Sequence, residues 1–202
     1  MDEEMGETLV ALARQAVKTY LEEKRLLNPT MSGLLLEKRG VFVSIYTFPA
    51  KELRGCIGYS LPTYPLAEAT VRAAVAAAVD DPRFPPLSLD ELENTVFEVS
   101  VLTSPVEINV EPRKSLPERI NVGIDGLIIE TPYSSGLLLP QVPVEYGMDA
   151  EEFLMQLCMK AGHEPTYWLY GKMRLYKFTA EVFAEKTPMG KVVKMQLGKA
   201  KC

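Results

Sequence analysis

The sequence predicts an α+β fold, a largely antiparallel sheet flanked by helices. Three observations predict it: β-rich runs arrive in pairs joined by short turns, helical patterns fall between those pairs, and no repeated βαβ unit is present. A chain of 202 residues buries about 70% of its unfolded surface. With 47% hydrophobic and 24% charged residues it has the composition of an ordinary globular protein, and a packed core is expected.

Taken in order, Leu9, Leu12, Ala13, Ala16, Val17, Tyr20 and Leu21 follow the spacing of an amphipathic helix that Asn28-Pro29 must follow or end. Val41 to Tyr46 alternates as a strand with Val41, Val43 and Ile45 on one face, and Leu53 to Gly58 returns as its antiparallel partner after a short turn. Pro65 opens an alanine-rich helix that stops near Asp80, before Pro82. The stretch Asp80-Asp81-Pro82-Arg83-Phe84-Pro85-Pro86 carries too many prolines for regular structure and reads as a loop.

Ser88 to Glu91 has capping-box spacing for a short helix, and Thr95 to Thr103 reads as a strand with Phe97, Val99 and Val101 inward and Glu98 and Ser100 on the opposite face. A second capping-box spacing, Ser115 to Glu118, precedes a hairpin formed by Gly126 to Glu130 and Leu137 to Leu139 around Tyr133-Ser134-Ser135-Gly136. Asp149 caps a helix whose apolar face is Phe153, Leu154, Leu157, Cys158 and Ala161, with Gly162 as its stop. Lys172 to Glu185 reads as a long final strand. The lysines at 186, 191, 194, 199 and 201 have no acid among them, so residues 186–202 carry +5 and read as a solvating basic tail.

Composition also excludes function classes. The acidic start, Met1 to Glu7, lacks the positive charge and apolar block of a secretory signal, so a cytoplasmic location is expected. The longest apolar run, Ala73 to Val79, is far too short to span a bilayer. Cysteines at 56, 158 and 202 form neither a disulfide framework nor a CxxC zinc set, and a single histidine argues against a histidine-rich metal centre. A net charge of −5 gives no overall attraction for nucleic acid, and no glycine-rich phosphate loop is present. No metal, cofactor, membrane or nucleic acid is therefore expected.

The chemistry concentrates at Leu53-Arg54-Gly55-Cys56-Ile57-Gly58. Strand alternation puts Arg54, Cys56 and Gly58 on one face, and a guanidinium beside a thiol stabilises the thiolate. The candidate catalytic residues are thus Cys56 and Arg54. Gly55 and Gly58, costly inside a strand, point to a bulge, a bend or the close approach of a backbone or ligand. Asp81 and Arg83 on the proline-braced loop, and Gln141 after Pro140, are polar groups on restrained backbone suited to binding. Each has a plainer reading: Cys56 as a small buried residue, Arg54 as a surface ion-pair partner, the loop residues as turn stabilisers. His163 serves better as a helix-end or solvent residue than as a base, and Cys158 belongs to the core.

Several segments together resemble the AMMECR family: Leu53-Arg54-Gly55-Cys56-Ile57-Gly58, Asp81-Pro82-Arg83-Phe84, Glu98 to Leu102, Leu139-Pro140-Gln141-Val142, and Glu152-Phe153-Leu154 with Lys160-Ala161-Gly162. The hexapeptide is that family's signature, and the segments occur in the family's order over residues 8–185. The resemblance implies a cytosolic α+β protein of archaeal or bacterial type in two lobes of unequal size, with the signature near the junction of the lobes and no established reaction. Prokaryotic relatives are often encoded with, or fused to, a Memo-like protein and a radical SAM enzyme, so the implied partner is one of these or a small ligand. His163 departs from the family, which usually has an apolar residue there, so activation of Cys56 would fall to Arg54 or to an acid such as Glu98. Two readings follow, an adaptor or ligand-binding component working through the signature strand, and an enzyme using Cys56 as nucleophile or redox centre in a modification pathway.

Overall fold

The structure, a computed structural model, describes residues 1–195. It contains helices and an antiparallel sheet, and every strand pairing recorded among the described residues is antiparallel. The chain divides into two compact units, Met1–Leu102 with Glu181–Met195, and Thr103–Ala180.

In the first unit, helix α1 (Glu3–Glu23) starts at Asp2, whose side chain accepts from the Met5 N–H, and ends at Lys24 in the left-handed conformation. Strands β1 (Val41–Thr47) and β2 (Leu53–Tyr59) form the expected hairpin, and β3 (Thr95–Leu102) pairs with the other side of β1. Helix α2 (Leu66–Val79) follows Pro65, and the short α3 (Leu89–Leu92) carries the Ser88/Glu91 capping box in both directions. Val41, Val43, Ile45, Phe97, Val99 and Val101 are buried with the apolar faces of α1 and α2 in one core. The alanines of α2 permit close approach: a Cβ added at Gly55 would lie 2.0 Å from the Ala77 carbonyl oxygen, so strand and helix backbones touch there.

The end of this unit is tied by one buried carboxylate. Glu185 accepts from the Arg14 guanidinium at 2.8 and 2.5 Å and from the Phe97 N–H at 3.0 Å, while Arg14 also donates to the Leu92 and Thr95 carbonyls. That network joins α1, β3 and the last residue of strand β7 (Arg174–Glu185). Beyond it the chain returns as strand β8 (Val192–Met195) paired with Val182 to Glu185. The reading of a solvating tail from residue 186 is corrected for 186–195: Val192 is buried against the core and supplies the apolar contact that the lysine count obscured. Residues 196–202 lie outside the described residues.

In the second unit, β4 (Val106–Ile108) and β5 (Asp125–Glu130) pair with β7, and β6 (Ser135–Leu138) pairs with β5. The Ser115 capping box does not form; Arg113–Arg119 is a 3₁₀ turn entered at Pro112, and the Ser115 N–H is taken by the Pro112 carbonyl. Helix α4 (Gln141–Glu145) begins directly after Pro140, where a loop residue was expected. Helix α5 (Ala150–Lys160) has the Asp149/Glu152 capping box and ends with Gly162 at φ +80°. The His163 and Gly162 N–H groups close that end on the Cys158 and Met159 carbonyls. Helix α6 (Tyr167–Tyr170) follows and buries Trp168 in the same core as Phe153, Leu154, Leu157 and Cys158.

Gly55→Ala should lower stability by about 3 kcal/mol, or prevent folding, because its Cβ would meet backbone rather than a movable side chain. Gly147→Ala, with open space but φ +65°, should cost about 1 kcal/mol. Urea midpoints of the two variants check the order; equal losses would contradict the contact.

Candidate functional site

Six of the seven expected site residues, Arg54, Gly55, Cys56, Gly58, Asp81 and Arg83, belong to the first unit, and Gln141 belongs to the second. The local geometry of β2 separates two of them. Ile45 pairs with Gly55 while the adjacent Tyr46 pairs with Leu53, so Arg54 is an extra residue opposite no partner, a β-bulge. Alternation breaks at that point and Arg54 turns toward α3, donating to Glu91 at 3.0 and 3.2 Å and to the Pro86 carbonyl. The expected pairing of Arg54 with the Cys56 thiol is therefore replaced by a guanidinium–carboxylate pair, which lowers the Glu91 carboxyl below its usual range.

Cys56 is instead held by the loop after α2. Asp81, 3% exposed, accepts four hydrogen bonds: the Cys56 N–H at 2.8 Å, the Arg83 N–H at 3.1 Å, and the Arg83 guanidinium at 2.9 and 2.7 Å. Arg83 returns a bond from Nη2 to the Cys56 carbonyl at 3.3 Å. The outward main-chain groups of Cys56, on a strand with no neighbour beyond it among the described residues, are thus both satisfied by one aspartate–arginine clamp. The Arg83 bonds hold the Asp81 carboxyl well below the usual carboxylate range, despite its burial.

The Cys56 side chain points to the face turned away from α1 and α2. Cys56 lies opposite Ser44 on β1, and Ser44 lies opposite Glu98 on β3, so the three side chains form a row across three strands. Ser44 Oγ donates to Cys56 Sγ at 3.2 Å. Burial pushes the Cys56 thiol above its ordinary value; the Ser44 bond and the Arg83 charge oppose this without overcoming it, and Glu98 and Asp81 reinforce it. At neutral pH the group is a thiol. Glu98 makes no hydrogen bond or ion pair among the described residues, and desolvation alone raises its carboxyl to about 7.

Gly58 pairs with Phe42 in the neighbouring row, and a Cβ there would strike the Phe42 ring at 2.4 Å. Gln141 Oε1, in the second unit, is buried without a hydrogen-bond partner among the described residues. His163 has a structural occupation: its Nε2 bonds Ser134 Oγ at 2.9 Å and Thr131 Oγ1 at 3.2 Å, its ring stacks on Tyr167 at 4.1 Å, and it fastens the β5–β6 turn to the end of α5. Cys158 is fully buried, as expected. No group of three or more His, Cys, Asp or Glu side chains able to hold a metal occurs among the described residues, and no helix is long and apolar enough to cross a membrane. Ser44 was not singled out by the sequence reading; a hydroxyl within Val41-Phe42-Val43-Ser44-Ile45 was its only signal.

The raised Glu98 carboxyl fixes the sign of a pH effect. Between its unfolded value of about 4.3 and about 7 the folded chain binds the extra proton, so this contribution to stability is whole at low pH and is lost as pH rises through 7. Glu98→Gln should therefore gain about 3 kcal/mol on the parent between pH 4 and pH 8. Urea unfolding at both pH values checks it; a constant difference would contradict the raised carboxyl.

Comparison with known proteins places the chain in a family. The AMMECR1 family model matches residues 10–183. Protein TK0174 of Thermococcus kodakarensis is 53% identical over 195 residues, covering 94% of this chain and 95% of its own. Protein MJ0810 of Methanocaldococcus jannaschii is 47% identical over 194 residues, 96% of each. The crystal structure of the uncharacterized protein PH0010 from Pyrococcus horikoshii superposes with a TM-score of 0.91 at 50% identity, covering 98% of this chain and 99% of that one. Matched by the family model over residues 10–183 and half identical to these relatives over nearly its whole length, the chain belongs to the AMMECR1 family.

Proposed function

We propose that the chain is an adaptor or ligand-binding component whose working surface is the outer face of the signature strand, around Cys56, Ser44 and Glu98. The observation that carries this reading is the state of Cys56: a thiol pushed upward by burial, accepting a hydrogen bond from Ser44, with both nearby arginines committed to carboxylates. A surface of this kind offers shape, a hydroxyl, a neutral thiol and a carboxyl, which suits recognition better than nucleophilic attack. The family resemblance supplies the setting for the reading, a cytoplasmic component working with a Memo-like or radical SAM protein or with a small ligand.

The second reading, an enzyme using Cys56 as nucleophile or redox centre, draws on one observation. Glu98, in the same row, has a carboxyl near 7, the range in which a side chain both accepts and donates protons. Mass spectrometry of the protein purified from its own host separates the two readings. The binding reading predicts a non-covalent companion, seen under native conditions, lost on denaturation and retained by Cys56→Ser. A mass increment on Cys56 that survives denaturation and is absent from Cys56→Ser would contradict it and support the enzyme.

A further inference from the structure

The row across β2, β1 and β3 carries one charge that nothing in the described chain answers. Of the ionisable groups around it, Arg54 is paired with Glu91 and Arg83 with Asp81. Those pairs are neutral in sum, Cys56 is a thiol, and Ser44 is uncharged. Glu98 remains, largely removed from water and without a hydrogen-bond donor, in register with the only two other polar side chains of the row. A partly buried carboxylate without a partner is costly to keep, and the group that relieves the cost is a cation or strong donor brought from outside.

We infer that the ligand of the signature surface presents a protonated amine to Glu98, with the Ser44 hydroxyl and the Cys56 thiol as its neutral neighbours. The inference rests on the binding reading above and deepens it by assigning the ligand's charge. An anionic ligand would meet Glu98 with like charge and would find both arginines already occupied. A primary ammonium instead supplies three donors from one point, enough for Glu98 and an acceptor lone pair of Ser44. Adjacent strands are about 4.8 Å apart, so a group seated on Glu98 lies next to Ser44 and about two strands from Cys56.

The test uses the full chain with its glutamate carboxyl carbons labelled with carbon-13, the Glu98 signal being assigned by its loss in Glu98→Gln. Three probes of equal size are titrated at pH 8: n-propylammonium, propionate and n-propanol. The inference predicts a saturable shift of the Glu98 signal with n-propylammonium alone, and perturbed Ser44 and Cys56 amides that respond about tenfold more weakly in Glu98→Gln. Glu98→Asp, which keeps the charge on a shorter stem, should respond between the two. A response of the row to propionate instead would overturn the inference and leave the binding reading standing. No response to any probe, with the parent amide spectrum intact, would also overturn it, and the native mass measurement would then judge the binding reading separately.

Discussion

The arrangement around the signature strand depends on the Asp81 carboxylate. Its four hydrogen bonds join the end of α2, the proline-braced loop and the outer edge of β2 at Cys56. The loop could not otherwise hold β2: its prolines lack amide donors, and among the described residues β2 has a partner strand on one side only. Arg83 completes the clamp by reaching the Cys56 carbonyl, so the main chain of Cys56 is fixed from the edge while its side chain is fixed from β1 by Ser44. On the inner side Gly55 seats the same strand directly on α2. Cys56 is therefore positioned from three directions, and the Ser44 bond and the Arg83 charge do not overcome the burial that keeps it a thiol.

Two carboxylates close to the signature strand show how environment assigns opposite behaviour to the same chemistry. Asp81 is almost wholly buried but surrounded by donors, so it stays charged far into acid. Glu98 is desolvated by its surroundings and has no donor among the described residues, so its carboxyl rises to about 7. The first is spent on structure. The second is an unmet requirement, and unmet requirements on a fixed surface are where a ligand contributes most.

Much of the fold was legible because the deciding signals are local. Alternation in Val41 to Tyr46, the capping residues Ser88 and Asp149, and Gly162 at a helix end each act within a few residues, and each appears as read. Strand β8 was missed because its burial comes from a distant core, whereas its sequence, rich in lysine, resembles a tail. At the site, the glycines of the signature announced a bulge or a close backbone approach, and both occur. What sequence could not show was which residue the bulge would displace. Strict alternation put Arg54 beside Cys56, but one extra residue turned Arg54 toward Glu91 and left Arg83, from a loop 27 residues on, as the cation nearest the thiol. The row of Cys56, Ser44 and Glu98 depends on two cross-strand registers, which no local pattern encodes.

The most direct measurement is the rate of Cys56 alkylation as a function of pH in the folded chain, read on the Cys56 peptide by mass spectrometry so that the other two cysteines do not contribute. The account predicts slow labelling at neutral pH with an inflection above the ordinary thiol value of about 8.5. An inflection well below that value would mean that the thiol is activated, and the surface around the signature strand would have to be read as a catalytic one.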